Sequence, residues 1–175
     1  MAAGSTICKV QLNIADMDRN YYETHDLTIA QHPSETDERL MVRIVAFALN
    51  ASERLVITKG IGGDDEPDLW EKDYGGDIIL WIDLGQVDEK RLRKACGRAE
   101  KVVVYTYNAK AASAWWRQNG GAFARFKNLE AIHLHAEGIE KFYGRTMRLS
   151  CTICDGELSL HSDGGDVTIT QEYWQ

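Results

Sequence analysis

Proline is nearly absent from this 175-residue chain, with only two residues, and no proline-rich or low-complexity tract divides it. The expectation is therefore a single domain spanning residues 1–175. No apolar run exceeds the stretch from Ile44 to Leu49, far short of the roughly 20 residues needed to cross a membrane, and the N-terminus carries no export signal. Four cysteines (Cys8, Cys96, Cys151, Cys154) fall in no disulfide spacing, which suits a reducing, cytoplasmic setting. Positive charge is also short: a net charge of -7 argues against a surface coated for non-specific nucleic-acid binding, though it leaves room for a local basic patch. There is no GxSxG elbow, phosphate-cradling glycine loop or dinucleotide fingerprint, so those enzyme classes lack support.

What is present is an ordinary globular composition, 44% hydrophobic, with enough chain to bury a sizeable core. Alternation from Thr6 to Ala15 and again from Tyr21 to Ala30 predicts an N-terminal β-hairpin. His32-Pro33 ends it, and Ser34 is expected to cap a helix running to about Asn50. A short strand at Leu55 to Thr58 and a Gly-rich acidic loop at Gly60 to Asp65 follow. The strongest strand signal is Ile78 to Asp83. Asp88 caps a second helix with a buried stripe at Leu92, Ala95, Cys96 and Ala99, and Val102 to Tyr107 reads as a strand buried on both faces. A strand, helix and strand in succession imply a parallel pair. A third helix is expected from about Ala109 to Gln118, another strand at Leu129 to His135, and three strands after Arg145. The fold class is a mixed α/β core bracketed by β-structure from both ends.

The segment from Asp64 to Gln86 holds the chemistry. Seven acids (Asp64, Asp65, Glu66, Asp68, Glu71, Asp73, Asp77) accompany one lysine, Lys72, before the apolar run IILWI leads into Asp83. Asp68 follows Pro67, and the intervening YGGD turn lets two strands fold back so that Asp68 and Asp83 meet at one end of a sheet. Two carboxylates so placed can hold Mg²⁺ and leave water in its other positions, as phosphodiester hydrolysis requires. The bland alternative is a solvated Asp68 and a turn-capping Asp83.

Other motifs are weaker. Asp16, Asp18 and Asn20 start like a calcium loop, but Tyr21 stands at the glycine position and Leu27 at that of the bidentate glutamate. Cys151 and Cys154 form a CxxC in a strand, where residues three apart face opposite sides. His133 and His135 share a strand face without a third ligand nearby. The second helix carries Lys90, Arg91, Arg93, Lys94, Arg98 and Lys101, a candidate phosphate contact or simply a charged outer face. Trp115 and Trp116 point about 100° apart on the third helix, so one of them, Trp116, is a candidate for stacking on a base.

Taken together, HPSETDER, DDEPDLW, WIDLGQVDEKRLRKA and the stretch from VYTYN to the paired tryptophans resemble the YaeQ family, in the same order and over essentially the whole chain. The resemblance implies a bacterial protein of poorly defined function with a fold similar to PD-(D/E)XK nucleases: a restriction-endonuclease-like mixed β-sheet core flanked by helices, with additional strands from the two terminal segments. It further implies that Pro67-Asp68 is the Pro-Asp pair, that Asp83 is the second acid, and that Glu38 is the helical glutamate. The lysine of that motif falls on Gly85. Gln86 and Lys90 are the replacements within reach. Two functions follow as expectations. One is a Mg²⁺-dependent phosphodiesterase acting on nucleic acid through Glu38, Asp68, Asp83 and Gln86 or Lys90. The other is a nuclease-like module without catalysis, binding nucleic acid through Arg91, Arg93, Arg98 and Trp116 or binding a protein partner in a regulatory role.

Overall fold

The computed structural model describes residues 4–59 and 65–175. Of the acidic loop expected at residues 60–65, only Asp65 falls among them. The described residues contain ten β-strands and three α-helices, in a mixed α/β arrangement. They divide into two compact units, one comprising residues 4–51, 59 and 136–170, the other residues 52–58, 65–135 and 171–175.

The first unit is built on the expected hairpin, β1 (Thr6–Asp16) and β2 (Tyr21–Gln31), paired antiparallel along their whole length. Cys8, Val10, Leu12 and Ile14 alternate inward and are buried, which fixes the register because a one-residue slip would expose all four. Asn20 adopts φ 56° in the connecting turn, a left-handed conformation that asparagine tolerates. β1 also pairs, in parallel, with β8 (Thr146–Cys154), a partner that no local pattern announces. β8 turns through Asp155 and Gly156, both at positive φ, into β9 (Glu157–Ser162), which pairs with β10 (Gly165–Tyr173). Two consecutive positive φ values are what a two-residue hairpin needs.

Helix α1 (Asp37–Asn50) ends where expected but starts on a different cap. Thr36, not Ser34, accepts the Arg39 N–H, while the Ser34 hydroxyl pairs with His32 Nδ1. Glu35 is buried and anchors the helix start, accepting from Arg39 at 2.7 Å and from the fully buried Arg43 at 2.9 Å.

The second unit is a five-stranded sheet. β3 (Leu55–Ile57), β4 (Leu69–Lys72) and β5 (Ile78–Leu84) run antiparallel, then β5, β6 (Ala99–Thr106) and β7 (Leu129–His135) run parallel. Helices α2 (Glu89–Arg98) and α3 (Ala109–Phe123) make the two crossovers, as the sequence predicts for β5 and β6. Trp81, Leu92, Ala95, Val102, Val104, Trp115 and Phe123 form their shared core. The Trp115 indole donates to the Val87 carbonyl, locking α3 to the segment that leads into α2.

α3 outlasts its expected end at Gln118, despite Gly120 and Gly121. A side chain at Gly120 would bring a Cβ to 2.8 Å from the Trp116 ring, so the glycine lets that indole lie flat on the helix. Phe123, fully buried, holds the last turn against the core. Residues Gln171–Gln175 complete this unit, with Trp174 N–H donating to the Ala131 carbonyl and the Gln175 side chain to the carbonyls of Phe123 and Phe126.

Candidate functional site

The antiparallel register pairs Leu69 with Ile82 and Trp70 with Trp81. One step further along the same register places Asp68 opposite Asp83. Both are buried, at 6% and 2% exposure. The Pro67-Asp68 segment is pinned from β3, since Thr58 donates its hydroxyl to the Pro67 carbonyl and its N–H to the Asp68 carbonyl. The Asp68 carboxylate in turn accepts the Leu84 N–H at 3.0 Å, so it lies against the end of the strand that carries Asp83. Sequence spacing thus correctly brings the two acids to one sheet end.

The group bound to Asp83 there is Arg91, from the first turn of α2. Its Nε donates to Asp83 Oδ2 at 2.9 Å and a terminal nitrogen donates to Oδ1 at 3.1 Å, a two-pronged pair of which the acid side is 2% exposed and the arginine side 25%. The Trp81 indole adds a third bond to Oδ2 at 3.0 Å, and Arg91 also reaches the Glu66 carbonyl at 2.8 Å. A carboxylate held by a planar guanidinium at both oxygens is the strong form of the ion pair. The Asp88 cap sets this up by accepting the Arg91 N–H, which fixes the helix start so that Arg91, eight residues beyond Asp83, turns back toward it.

Gly85 is the position at which the nuclease resemblance would place a lysine. Its φ is +94°, and its N–H still continues the ladder by donating to the Tyr105 carbonyl at 2.8 Å. A lysine there would have to adopt the left-handed region, at a cost of about 1–2 kcal/mol. The backbone conformation, and not a lack of space, is what disfavours a side chain at position 85.

A divalent ion fits the chemistry of two carboxylates but not their present arrangement. An ion at Asp83 would first have to displace a bidentate guanidinium. Among the described residues, the trio of acid, cysteine or histidine side chains gathered closely enough for a metal is Asp18, Cys154 and Asp155, all exposed. There the Asp18 oxygens accept the N–H groups of Asp155 and Gly156, at 2.8 and 2.9 Å, and hold the β8–β9 turn.

The remaining sequence-derived residues sit as follows. Gln86 is exposed just past the strand, and Lys90 lines a cleft of about 330 Å³ with Asp88, Arg91 and Lys94. Glu38 lies in the first turn of α1, in the first unit; burial first, then the charges of Glu140 and Glu137, push its carboxyl above the usual range. Arg93 donates to Glu89, and Arg98 to the Asp65 carbonyl while lying 5.2 Å over the Trp81 ring. Trp116 is half-buried, stacked on Trp174 with centroids 5.6 Å apart. His133 is buried beside Thr106, at 2.8 Å, with Trp174 stacked on it and His135 at its edge. Cys151 faces inward and Cys154 outward, as their spacing predicts, and burial pushes the Cys151 thiol up to about 12.

Arg91 is the residue that sequence reasoning placed in the wrong company. It reads there as one of several surface cations; the signal for its role is the Asp88 cap, which aims the third helical residue back at the strand end.

A family model described as YaeQ protein matches residues 1–171. Among curated proteins, the chain is 43% identical to the uncharacterized protein YaeQ of Escherichia coli (strain K12), over 100% of this chain and 98% of that one. It is 41% identical to the protein of that name in Salmonella typhi, with the same coverage. The crystal structure of the YaeQ protein from Xanthomonas axonopodis pv. citri superposes with a TM-score of 0.94 at 49% identity, covering 98% of both chains. That of the YaeQ protein from Pseudomonas syringae gives 0.93 at 31% identity, covering 98% of this chain and 96% of the other.

Proposed function

We propose, from the premise that this chain belongs to the YaeQ family, that it is a restriction-endonuclease-like module which binds nucleic acid without hydrolysing it. The single observation that carries this reading is the pairing of Arg91 with both oxygens of Asp83. A guanidinium stands where a nuclease of this type would hold its cation, and the lysine that would activate water is replaced by a glycine at φ +94°. The restriction-endonuclease likeness draws support from the order of the second unit, an antiparallel pair that brings two acids together followed by parallel strands with helical crossovers.

Phosphate contact falls to the cleft at the start of α2, where Lys90 and Lys94 stand beside Arg91. Lys94 shares its charge with Asp65 at 3.2 Å, a pair exposed enough for a phosphate to compete with the acid. Each lysine that gives up a counterion on binding a single strand steepens the salt dependence by about 0.7 in the log–log slope. Replacing both by glutamine is expected to lower that slope by about 1.4; an unchanged slope excludes the cleft.

A second reading, metal-dependent hydrolysis, is favoured by one observation, the juxtaposition of Asp68 and Asp83 on neighbouring strands. Like charges opposite each other on a strand pair destabilise it, so their pairing invites a cation of some kind. Titrating Mg²⁺ or Mn²⁺ separates the two readings. The binding module gives no rise in melting temperature and no cleavage of labelled DNA or RNA, whereas a metal-dependent melting shift with cleavage, both lost in Asp83→Asn, establishes the enzyme.

A further inference from the structure

We propose that the face of β3, β4 and the β4–β5 turn bearing Trp70 and Tyr74 is a binding track for single-stranded nucleic acid, on which bases stack against aromatic rings flanked by cations. The proposal takes its ligand class from the nucleic-acid reading above but stands on a different surface, and needs neither the α2 cleft nor any metal.

The register sets Val56 beside Trp70, and two residues further along sets Arg54 opposite Lys72 on the same face; Trp81, next in line on β5, is 1% exposed and belongs to the core, so the open surface ends at β4. Both accessible rings of this surface carry a cation. Lys72 Nζ lies 3.9 Å from the centroid of Trp70 and the Arg54 guanidinium 4.4 Å from that of Tyr74, while the buried Trp81 backs Trp70 edge to face at 6.1 Å. Tyr74, at the tip of the β4–β5 hairpin, is 95% exposed, Val56 is 51% exposed, and Trp70 is half-buried. Large apolar and aromatic groups left in water side by side mark a binding surface rather than a neglected core.

Charge decides the occupant. Among the described residues neither Arg54 nor Lys72 has a carboxylate ion-pair partner. At the tip, Asp73 Oδ1 is taken up within the turn, accepting the N–H groups of Gly75 and Asp77. Two uncompensated cations interleaved with π faces, on a protein of net charge -7, match a polyanion that also offers flat rings. A duplex keeps its bases stacked on each other and can use only the cations, so the track selects unpaired strands.

The test is fluorescence anisotropy of labelled oligo(dT), oligo(rU) and a duplex of equal length with the intact protein, at low salt and with EDTA present. The expected result is binding of one or both single strands more tightly than the duplex. Tyr74→Ala, a fully exposed site whose loss leaves the fold intact, should weaken single-strand binding by about 10-fold, the range of one stacked base. Arg54→Gln with Lys72→Gln should lower the log–log salt slope by about 1.4, and Lys90→Gln with Lys94→Gln should leave the Tyr74 effect in place. Equal affinity for the duplex, an unaltered affinity in Tyr74→Ala with folding verified by circular dichroism, or no binding of any oligonucleotide overturns the proposal. Loss of binding in the Lys90 and Lys94 variant alone, with Tyr74→Ala silent, would leave the cleft standing and the track refuted.

Discussion

On α2 the cations have acids for neighbours; on the β3–β4 face they have rings. Arg91 is bound to Asp83, Arg93 to Glu89 and Lys94 to Asp65, whereas Lys72 and Arg54 lie over Trp70 and Tyr74. Counted in the sequence, α2 is the basic element and the acidic segment beside it is not. In the fold that contrast narrows, because acids pair three of the five helix cations while Lys72 and Arg54 on the neighbouring β3–β4 face have none among the described residues. Charge available to a partner is what remains after internal pairing, and a helix rich in arginine can have little of it left.

The comparison breaks most visibly at Arg91. Arg91→Gln strands a carboxylate that is 2% exposed, and a broken buried pair costs about 3–5 kcal/mol. Urea denaturation should show that loss, and Asp83→Asn in the same chain should recover part of it; an additive double variant would mean the pair is not the source. Next in size, Gly85→Lys rebuilds the nuclease-like motif on a backbone at φ +94° and is expected to lose about 1–2 kcal/mol without gaining cleavage. Cleavage by that variant would show that the scaffold wants only its lysine. Arg93→Gln removes a pair that is 61% and 34% exposed, and should move stability by less than about 0.5 kcal/mol. Arg54→Gln should be as quiet in denaturation, so any effect it has on oligonucleotide binding reads the surface and not the fold.

The sequence carried the local elements well because their determinants are local. The alternation of β1, the Asp88 cap and the buried run of β6 each lie within a few residues of what they decide. Where two local solutions compete, reading becomes ambiguous: Ser34 and Thr36 are both competent caps, and only the His32 ring, which occupies the Ser34 hydroxyl, settles the choice. Of the site, the meeting of Asp68 and Asp83 was legible from the turn between them. The guanidinium bound to Asp83 was not, since five cations on one helix give no sign of which faces the strand end. The positive φ of Gly85 was equally hidden, so its glycine read as a missing lysine rather than as a required turn.

The parallel pairing of β1 with β8 sets the order of events during synthesis. Lys9 donates its N–H to Arg145, and the Asp18 carboxylate waits for N–H groups 137 and 138 residues further on. The N-terminal hairpin therefore leaves the ribosome with one long edge unsatisfied, and keeps it through most of translation. Non-local pairing of this kind is slow, and an open strand edge is a template for the wrong neighbour. Until β8 is made, that edge of β1 lacks the partner it has in the finished fold, which makes it the edge most open to a wrong one.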